Sequence, residues 1–94
     1  MANPSNYHVE VSPAADRDLQ KLKERILKQD FDRLCKVVDK LMEDPRPHGV
    51  RKIKGAVTAY RIRAGNYRVV YDVEDDKKLV VILQIVRRSE STYK

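Results

Sequence analysis

The chain has 94 residues, a formal net charge of +6 and a sequence pI of about 9.6, which predicts one small domain over residues 1–94 with a surface that attracts anions. One cysteine excludes an intramolecular disulfide, and two histidines provide no cluster at metal-ligand spacing, so we expect neither a metal nor a cofactor. The start of the chain lacks a signal pattern, and the longest apolar run, residues 79–83, is far too short for a bilayer, which predicts a cytoplasmic protein without a membrane partner.

The first half of the chain predicts one strand and two helices. Residues 7–11 alternate apolar and polar side chains, which is typical of a half-buried strand. Ser12 and Pro13 predict a helix start, because serine caps free N–H groups and proline is tolerated at the first helical position. Asp30 offers a cap for a second helix, whose apolar residues recur at three- and four-residue spacing until Pro45 ends it.

The second half predicts three strands, at residues 57–64, 67–74 and 78–86. The last contains the unbroken apolar run, as expected of a strand covered on both faces, so we place it inside the sheet, although a short buried helix has the same pattern. Together the elements predict an α+β fold: a mainly antiparallel four-stranded sheet with two N-terminal helices packed on one face, in the order β-α-α-β-β-β.

Positive charge is segregated in the segment between Pro45 and Asp72, which has no acidic residue. Its basic residues are Arg46, Arg51, Lys52, Lys54, Arg61, Arg63 and Arg68. A segment of one sign repels itself unless an anion lies against it, so the pattern predicts a polyanion site, for which nucleic acid is the commonest ligand.

A hairpin at Gly65-Asn66 sharpens this prediction. A two-residue turn places Arg63 opposite Arg68 and puts Arg61 on the same face of the sheet. Like charges that face each other destabilise a sheet, and a bound anion relieves the repulsion. A solvated face whose arginines pair with acidic residues from elsewhere is the alternative, and a longer loop would shift the register.

Three features in this order resemble the RelE/ParE toxin superfamily, and specifically its RelE branch: the segment 44–55 (DPRPHGVRKIKG), the hairpin 60–71 (YRIRAGNYRVVY), and Arg87-Arg88 followed by Tyr93. The resemblance covers nearly the whole chain. It implies a toxin of a type II toxin–antitoxin system that enters the ribosomal A site and cleaves mRNA there. The implied enzyme is a metal-independent endoribonuclease, in which the RNA 2′-hydroxyl attacks the adjacent phosphate.

The resemblance also implies a catalytic set. Its members are Arg61 and Arg63 at the paired basic positions, Arg68 as the phosphate contact, Arg88 after the last strand, and Tyr93 as the aromatic residue that stacks on a base. Related toxins can carry a lysine that acts as general base at position 63, but the arginine present here stays protonated. The base is therefore open between Lys52, Lys54, Glu90 and Tyr93.

Further contacts with RNA or the ribosome are predicted at the remaining basic positions, which are Arg51, Lys52, Lys54 and Arg87. We expect His8 to be a surface residue, Cys35 to be a packing residue and His48 to be an ordinary loop residue.

The implied partners are the ribosome, mRNA and a cognate RelB-like antitoxin whose helix lies in an apolar groove, with operator DNA contacted only through that antitoxin. Two alternatives remain open. One is a ParE-like poison of DNA gyrase, and the other is a catalytically weak binding module that acts as a corepressor with its antitoxin.

Overall fold

The computed structural model describes residues 6–87. The elements in chain order are β1 (His8–Val11), α1 (Pro13–Lys23), α2 (Lys28–Glu43), β2 (Arg51–Lys52), β3 (Ala59–Ala64), β4 (Tyr67–Glu74), a 3₁₀ turn (Asp75–Lys77) and β5 (Leu79–Arg87). The strands form one mixed sheet in the order β1-β5-β4-β3-β2, in which β1 is parallel to β5 and the other neighbours are antiparallel.

The α+β class and the mainly antiparallel sheet agree with the prediction. The four-stranded sheet and the order β-α-α-β-β-β are wrong, because β2 adds a fifth strand after α2. β2 consists of Arg51 and Lys52, which pair with Arg61 and Tyr60 of β3. Both β2 residues are exposed at the sheet edge. Two charged residues at an edge show no alternation of apolar and polar side chains, so no pattern in the sequence indicates this strand.

The start of α1 follows the predicted signal. The Ser12 hydroxyl accepts a hydrogen bond from the backbone N–H of Ala15 at 3.1 Å, and Pro13 is the first helical residue. Farther along α1, the Asp18 carboxylate accepts a hydrogen bond from the backbone N–H of Ile85 at 2.9 Å. That N–H lies close to a register shift between β4 and β5. Asp18 of α1 therefore supplies a hydrogen-bond acceptor where the backbone pairing of the two strands is irregular.

The predicted cap of α2 is wrong. Leu27 occupies the N-cap position without a side-chain hydrogen bond, and Asp30 lies inside the first turn. There its negative charge still interacts favourably with the positive end of the helix dipole. Leu34 and Leu41, on the buried stripe of α2, are almost fully buried.

The core lies between the two helices and one face of the sheet. Alternate residues of β4 are buried, and they face Val80, Ile82 and Ile85 of β5. β5 lies inside the sheet, between β1 and β4, as predicted. Its second face is not fully covered, because Leu83 and Gln84 are exposed at the register shift. Within residues 6–87, neither helix combines the length and the apolar character needed to cross a membrane.

The loop at residues 44–50 is tied to the rest of the fold by a set of polar contacts that we call the Arg46 clamp (Arg46, Asp75, Tyr7 and Tyr60). The Arg46 guanidinium donates two hydrogen bonds to the Asp75 carboxylate, at 2.7 and 3.1 Å, and its Nε donates to the Tyr60 hydroxyl at 3.0 Å. The Tyr7 hydroxyl donates to the same carboxylate at 2.6 Å. The clamp therefore joins the loop to β3, to the turn before β5 and to the residue before β1.

The clamp perturbs the ionisation of its members. The hydrogen bonds from Arg46 and Tyr7 lower the pKa of Asp75, and the hydrogen bond to Asp75 raises the pKa of both Tyr7 and Arg46. Tyr71 lies next to the clamp, and its ring stacks on that of Tyr60 at a centroid distance of 5.9 Å. Its hydroxyl donates to the Pro45 carbonyl at 2.7 Å, and burial raises its pKa.

The lowered pKa of Asp75 predicts a pH dependence of stability. Its carboxylate contributes fully above the ordinary aspartate pKa of about 4, and the contribution is lost as the pH falls through the lowered folded-state value. We expect wild type to resist urea better than Asp75→Asn at neutral pH, with a difference in midpoint that shrinks below about pH 4. Asp76→Asn, in the same exposed turn, is the matched control. A difference for Asp75→Asn that stays constant at low pH contradicts this prediction.

Candidate functional site

The hairpin between β3 and β4 has the predicted register. Arg63 lies opposite Arg68, and Arg61 lies opposite Val70. Gly65 adopts a φ of +64°, a conformation that glycine accepts readily at the first position of a two-residue hairpin turn. Since side chains alternate along a strand, the three arginines share the face of the sheet opposite the helices.

β2 extends this row, because Arg51 is the cross-strand partner of Arg61. The result is an open cleft of about 440 Å³ that we call the arginine cleft. Its lining residues are His48, Gly49, Arg51, Arg61, Ile62, Arg63 and Arg68. Four guanidinium groups from three neighbouring strands therefore converge on one concave surface.

The electrostatics of the arginine cleft are one-sided. Among the residues that the structure describes, no acidic side chain lines the cleft. Arg51, Arg61 and Arg63 form no ion pair or side-chain hydrogen bond within residues 6–87. Guanidinium groups present a rigid fork of donors that matches phosphate oxygens, and a cluster of positive charges raises the local concentration of anions. The chemistry of the cleft thus suits a phosphate group.

Arg46 does not belong to this surface, although it lies in the same acid-free segment of the sequence. Its charge is neutralised by Asp75 at 2.7 Å, and its side chain serves the clamp. The acid that pairs with it lies 29 residues away in the sequence, outside the basic segment. The segregation of charge in the sequence therefore overstates the basic surface, since the charge of Arg46 is already neutralised.

Two other predicted RNA contacts lie outside the cleft. Lys52 is the cross-strand partner of Tyr60, whose ring packs on the buried Tyr71, so Lys52 belongs to the helix-covered face of the sheet at its edge. Lys54 is exposed in the turn that follows β2. Neither side chain lines the arginine cleft, although both lie on the strand and turn that border it.

Arg87 lies on the opposite side of the sheet from the arginine cleft. It pairs with Tyr67 of the core face, and it borders a separate cleft between the end of α1 and the hairpin turn. Arg88 and Tyr93, the remaining members of the predicted catalytic set, lie outside the described residues, as does Glu90.

The structure adds His48, which we expected to be an ordinary loop residue, to the lining of the arginine cleft. The loop that carries it is held by Tyr71 through Pro45 and by Asp75 through Arg46. These partners are distant in the sequence, so no local pattern indicates where His48 lies. The one signal is the short spacing between His48 and Arg51, which enters the sheet beside Arg61.

Comparison with known proteins identifies the family. A family model described as the ParE toxin of type II toxin–antitoxin systems, parDE, matches residues 9–92. The toxin RelE of Mycobacterium tuberculosis is 34% identical over 91 residues, which cover 97% of this chain and 91% of that protein.

Solved structures agree with this match. The RelE of the archaeal RelE–RelB complex from Pyrococcus horikoshii aligns with a TM-score of 0.75 and 28% identity, over 92% of this chain and 99% of that chain. The toxin–antitoxin complex RelBE2 from Mycobacterium tuberculosis aligns with a TM-score of 0.67 and 30% identity, over 88% of this chain and 99% of that chain. The chain therefore belongs to the RelE/ParE superfamily of toxins of type II toxin–antitoxin systems.

Proposed function

We propose that this toxin is a metal-independent endoribonuclease that cleaves mRNA in the ribosomal A site and so inhibits translation. The observation that carries the proposal is the arginine cleft, where four guanidinium groups converge without an acidic neighbour among the described residues. The similarity to the toxin RelE of Mycobacterium tuberculosis favours the RelE branch. The register that places Arg63 opposite Arg68 brings two guanidinium groups to one phosphate-sized opening.

The proposed reaction is the attack of a ribose 2′-hydroxyl on the adjacent phosphate, which yields a cyclic phosphate and a free 5′-hydroxyl. Negative charge accumulates on the phosphoryl oxygens in the transition state, and donors that are already in position stabilise it most. Arg61 and Arg68 lie on the paired strands β3 and β4, so the sheet fixes the directions from which they approach a phosphate. Charge stabilisation is their proposed role, with Arg63 beside them.

The remaining basic residues have proposed roles in binding. Arg51 lines the cleft and is suited to a phosphate next to the scissile one. Lys52 and Lys54 lie at its border, where they suit contacts with the RNA backbone of the ribosome. Arg87 lies on the other side of the sheet, so its contact with the ribosome would involve a second surface. The catalytic roles of Arg88 and Tyr93 stay predictions.

A cognate RelB-like antitoxin is the proposed protein partner, since two of the similar solved structures are RelE–RelB and RelBE2 toxin–antitoxin complexes. A narrow groove of about 150 Å³ lies between the helices and the sheet, with almost entirely apolar walls that include Phe31, Cys35 and Val38. It suits one apolar side chain of an antitoxin helix. Operator DNA would be reached only through the antitoxin.

The groove gives a test of the antitoxin proposal. Cys35→Asp places a charge in an apolar wall, and we expect it to weaken co-purification with the co-expressed antitoxin by at least tenfold, because burying an unpaired carboxylate is costly. Lys36→Asp, one residue along the helix and outside the groove, is the matched control. Equal recovery of antitoxin with both variants would place the antitoxin on another surface.

The cleft gives a test of the enzymatic proposal. Arg68→Ala should lower the rate of ribosome-dependent cleavage by about 10²–10³-fold, the usual cost of removing one donor to a developing oxyanion. Stability should change by less than about 1 kcal/mol, as is typical of a partly exposed arginine. Primer extension on mRNA in a purified translation reaction, with and without ribosomes, measures the cuts.

Arg17→Ala, an exposed arginine on α1, is the control for this test and should cleave as wild type does. Undiminished cleavage by folded Arg68→Ala would remove the arginine cleft from the catalytic site.

The match of the ParE family model to residues 9–92 favours a second candidate function, the poisoning of DNA gyrase. A supercoiling assay with purified gyrase, run beside the mRNA cleavage assay, distinguishes the gyrase poison from the endoribonuclease. Trapped, cleaved DNA with intact mRNA would establish the gyrase poison, whereas cut mRNA with normal supercoiling would establish the endoribonuclease.

A further inference from the structure

We infer that His48 is the general base of the proposed cleavage, the group that removes the proton from the attacking 2′-hydroxyl. This inference rests on the proposed function and adds a residue to it. It is carried by two observations: His48 lines the arginine cleft together with Arg51 and Arg61, and the loop that bears it is fixed at several points.

The fixed loop gives His48 a defined position. The Pro45 carbonyl accepts a hydrogen bond from the buried Tyr71 at 2.7 Å, and the Arg46 side chain is held on Asp75 by two hydrogen bonds. The backbone N–H of Val50 donates to the Pro47 carbonyl at 3.1 Å and closes the turn that contains His48, and Arg51 then pairs with Arg61 of β3. His48 is thus anchored on both sides within a few residues, although its own side chain is exposed. Such anchoring lets a loop residue hold a catalytic position.

Gly49 permits this path of the chain. Its φ of +92° lies in the left-handed region, which is open to glycine and strained for other residues. The turn lets the chain pass from the loop into β2, where Arg51 joins the sheet. His48 therefore reaches the same surface as the strand arginines from a different element.

The charged groups that face His48 come from three strands. They are Arg51 of β2, Arg61 and Arg63 of β3, and Arg68 of β4. Guanidinium groups do not release or accept protons near neutral pH, so they hold the phosphate and cannot act as a base. Within residues 6–87, His48 is the one side chain lining the cleft that carries a ring nitrogen able to accept a proton.

The lysines that the sequence offered as bases are less well placed. Lys52 shares the helix-covered face with Tyr60, and Lys54 lies in the turn beyond β2. Neither lines the arginine cleft. A base must come within hydrogen-bond reach of the proton that it abstracts, so position favours His48 over both lysines.

The proposed step balances in atoms and charge. An unprotonated ring nitrogen of His48 takes the proton of the 2′-hydroxyl as the 2′-oxygen forms a bond to phosphorus. The bond from phosphorus to the 5′-oxygen breaks, and its electron pair stays on that oxygen, which takes a proton from water. The imidazolium then returns its proton to the hydroxide that is left, so no net proton is consumed. Arg61 and Arg68 stabilise the charge on the phosphoryl oxygens throughout.

The test is the single-turnover cleavage of mRNA on programmed ribosomes by His48→Ala and His48→Gln. We expect both variants to cleave about 10²–10⁴-fold more slowly than wild type, the usual contribution of a positioned general base. In wild type the rate should rise with pH and then level off, whereas in the variants this rise should disappear. Added imidazole should restore part of the rate of His48→Ala, because it can enter the open cleft.

His8→Ala is the matched control, since His8 is an exposed histidine on β1, away from the cleft. It should keep the wild-type rate and pH profile and should not respond to imidazole. Thermal melting of each variant separates a loss of chemistry from a loss of folding. Folded His48 variants that keep the wild-type rate, or that lose rate without imidazole rescue and with an unchanged pH profile, would overturn the inference.

The outcomes also separate this inference from the proposed function. If wild type leaves mRNA intact, the proposed function fails. If wild type cuts, Arg68→Ala does not and His48→Gln cuts normally, the function stands and the base is another residue.

Discussion

The register of the hairpin between β3 and β4 is the constraint on which both the core and the arginine cleft depend. It places Tyr67, Val69 and Tyr71 under the helices, and the same alternation directs Arg61, Arg63 and Arg68 to the other face. A slip of one residue would expose the apolar set and bury the arginines, so burial of the core also fixes the register of the arginine face. The two-residue turn at Gly65-Asn66 and the hydrophobic core therefore specify the same arrangement.

Tyrosines on the core face of the sheet hold the loop at residues 44–50 in place. Tyr71 contributes its ring to the core and its hydroxyl to the loop at Pro45, while Tyr60 binds Arg46 of the same loop. Through these contacts the interior of the protein determines the position of an exposed loop at the edge of the cleft. The arginines enter the cleft from paired strands, and His48 enters it from this anchored loop. Together they place four guanidinium groups and an imidazole around one opening.

Local signals predicted much of the fold. The start of α1 at Ser12-Pro13 and the alternation along residues 67–74 depend on neighbouring residues, and both agree with the structure. The pairing of Arg63 with Arg68 was predictable because the turn determines it. β2 was missed because two charged edge residues carry no periodicity, and the positions of Lys52 and Arg87 depend on pairing with strands elsewhere in the sheet. Likewise, the neutralisation of Arg46 and the placement of His48 depend on Asp75 and Tyr71, which are far away in the sequence.

The most direct test of the central claim, that the arginine face of the sheet is the RNA site, is an NMR titration of the labelled toxin with a short single-stranded RNA. The side-chain Nε–H signals of the arginines report on each position separately. Binding in the cleft predicts shifts at Arg51, Arg61, Arg63 and Arg68, while those of Arg17, Arg25, Arg33 and Arg87 stay in place. Shifts confined to the second group, with the cleft signals unmoved, would contradict the claim and assign RNA to the opposite side of the molecule.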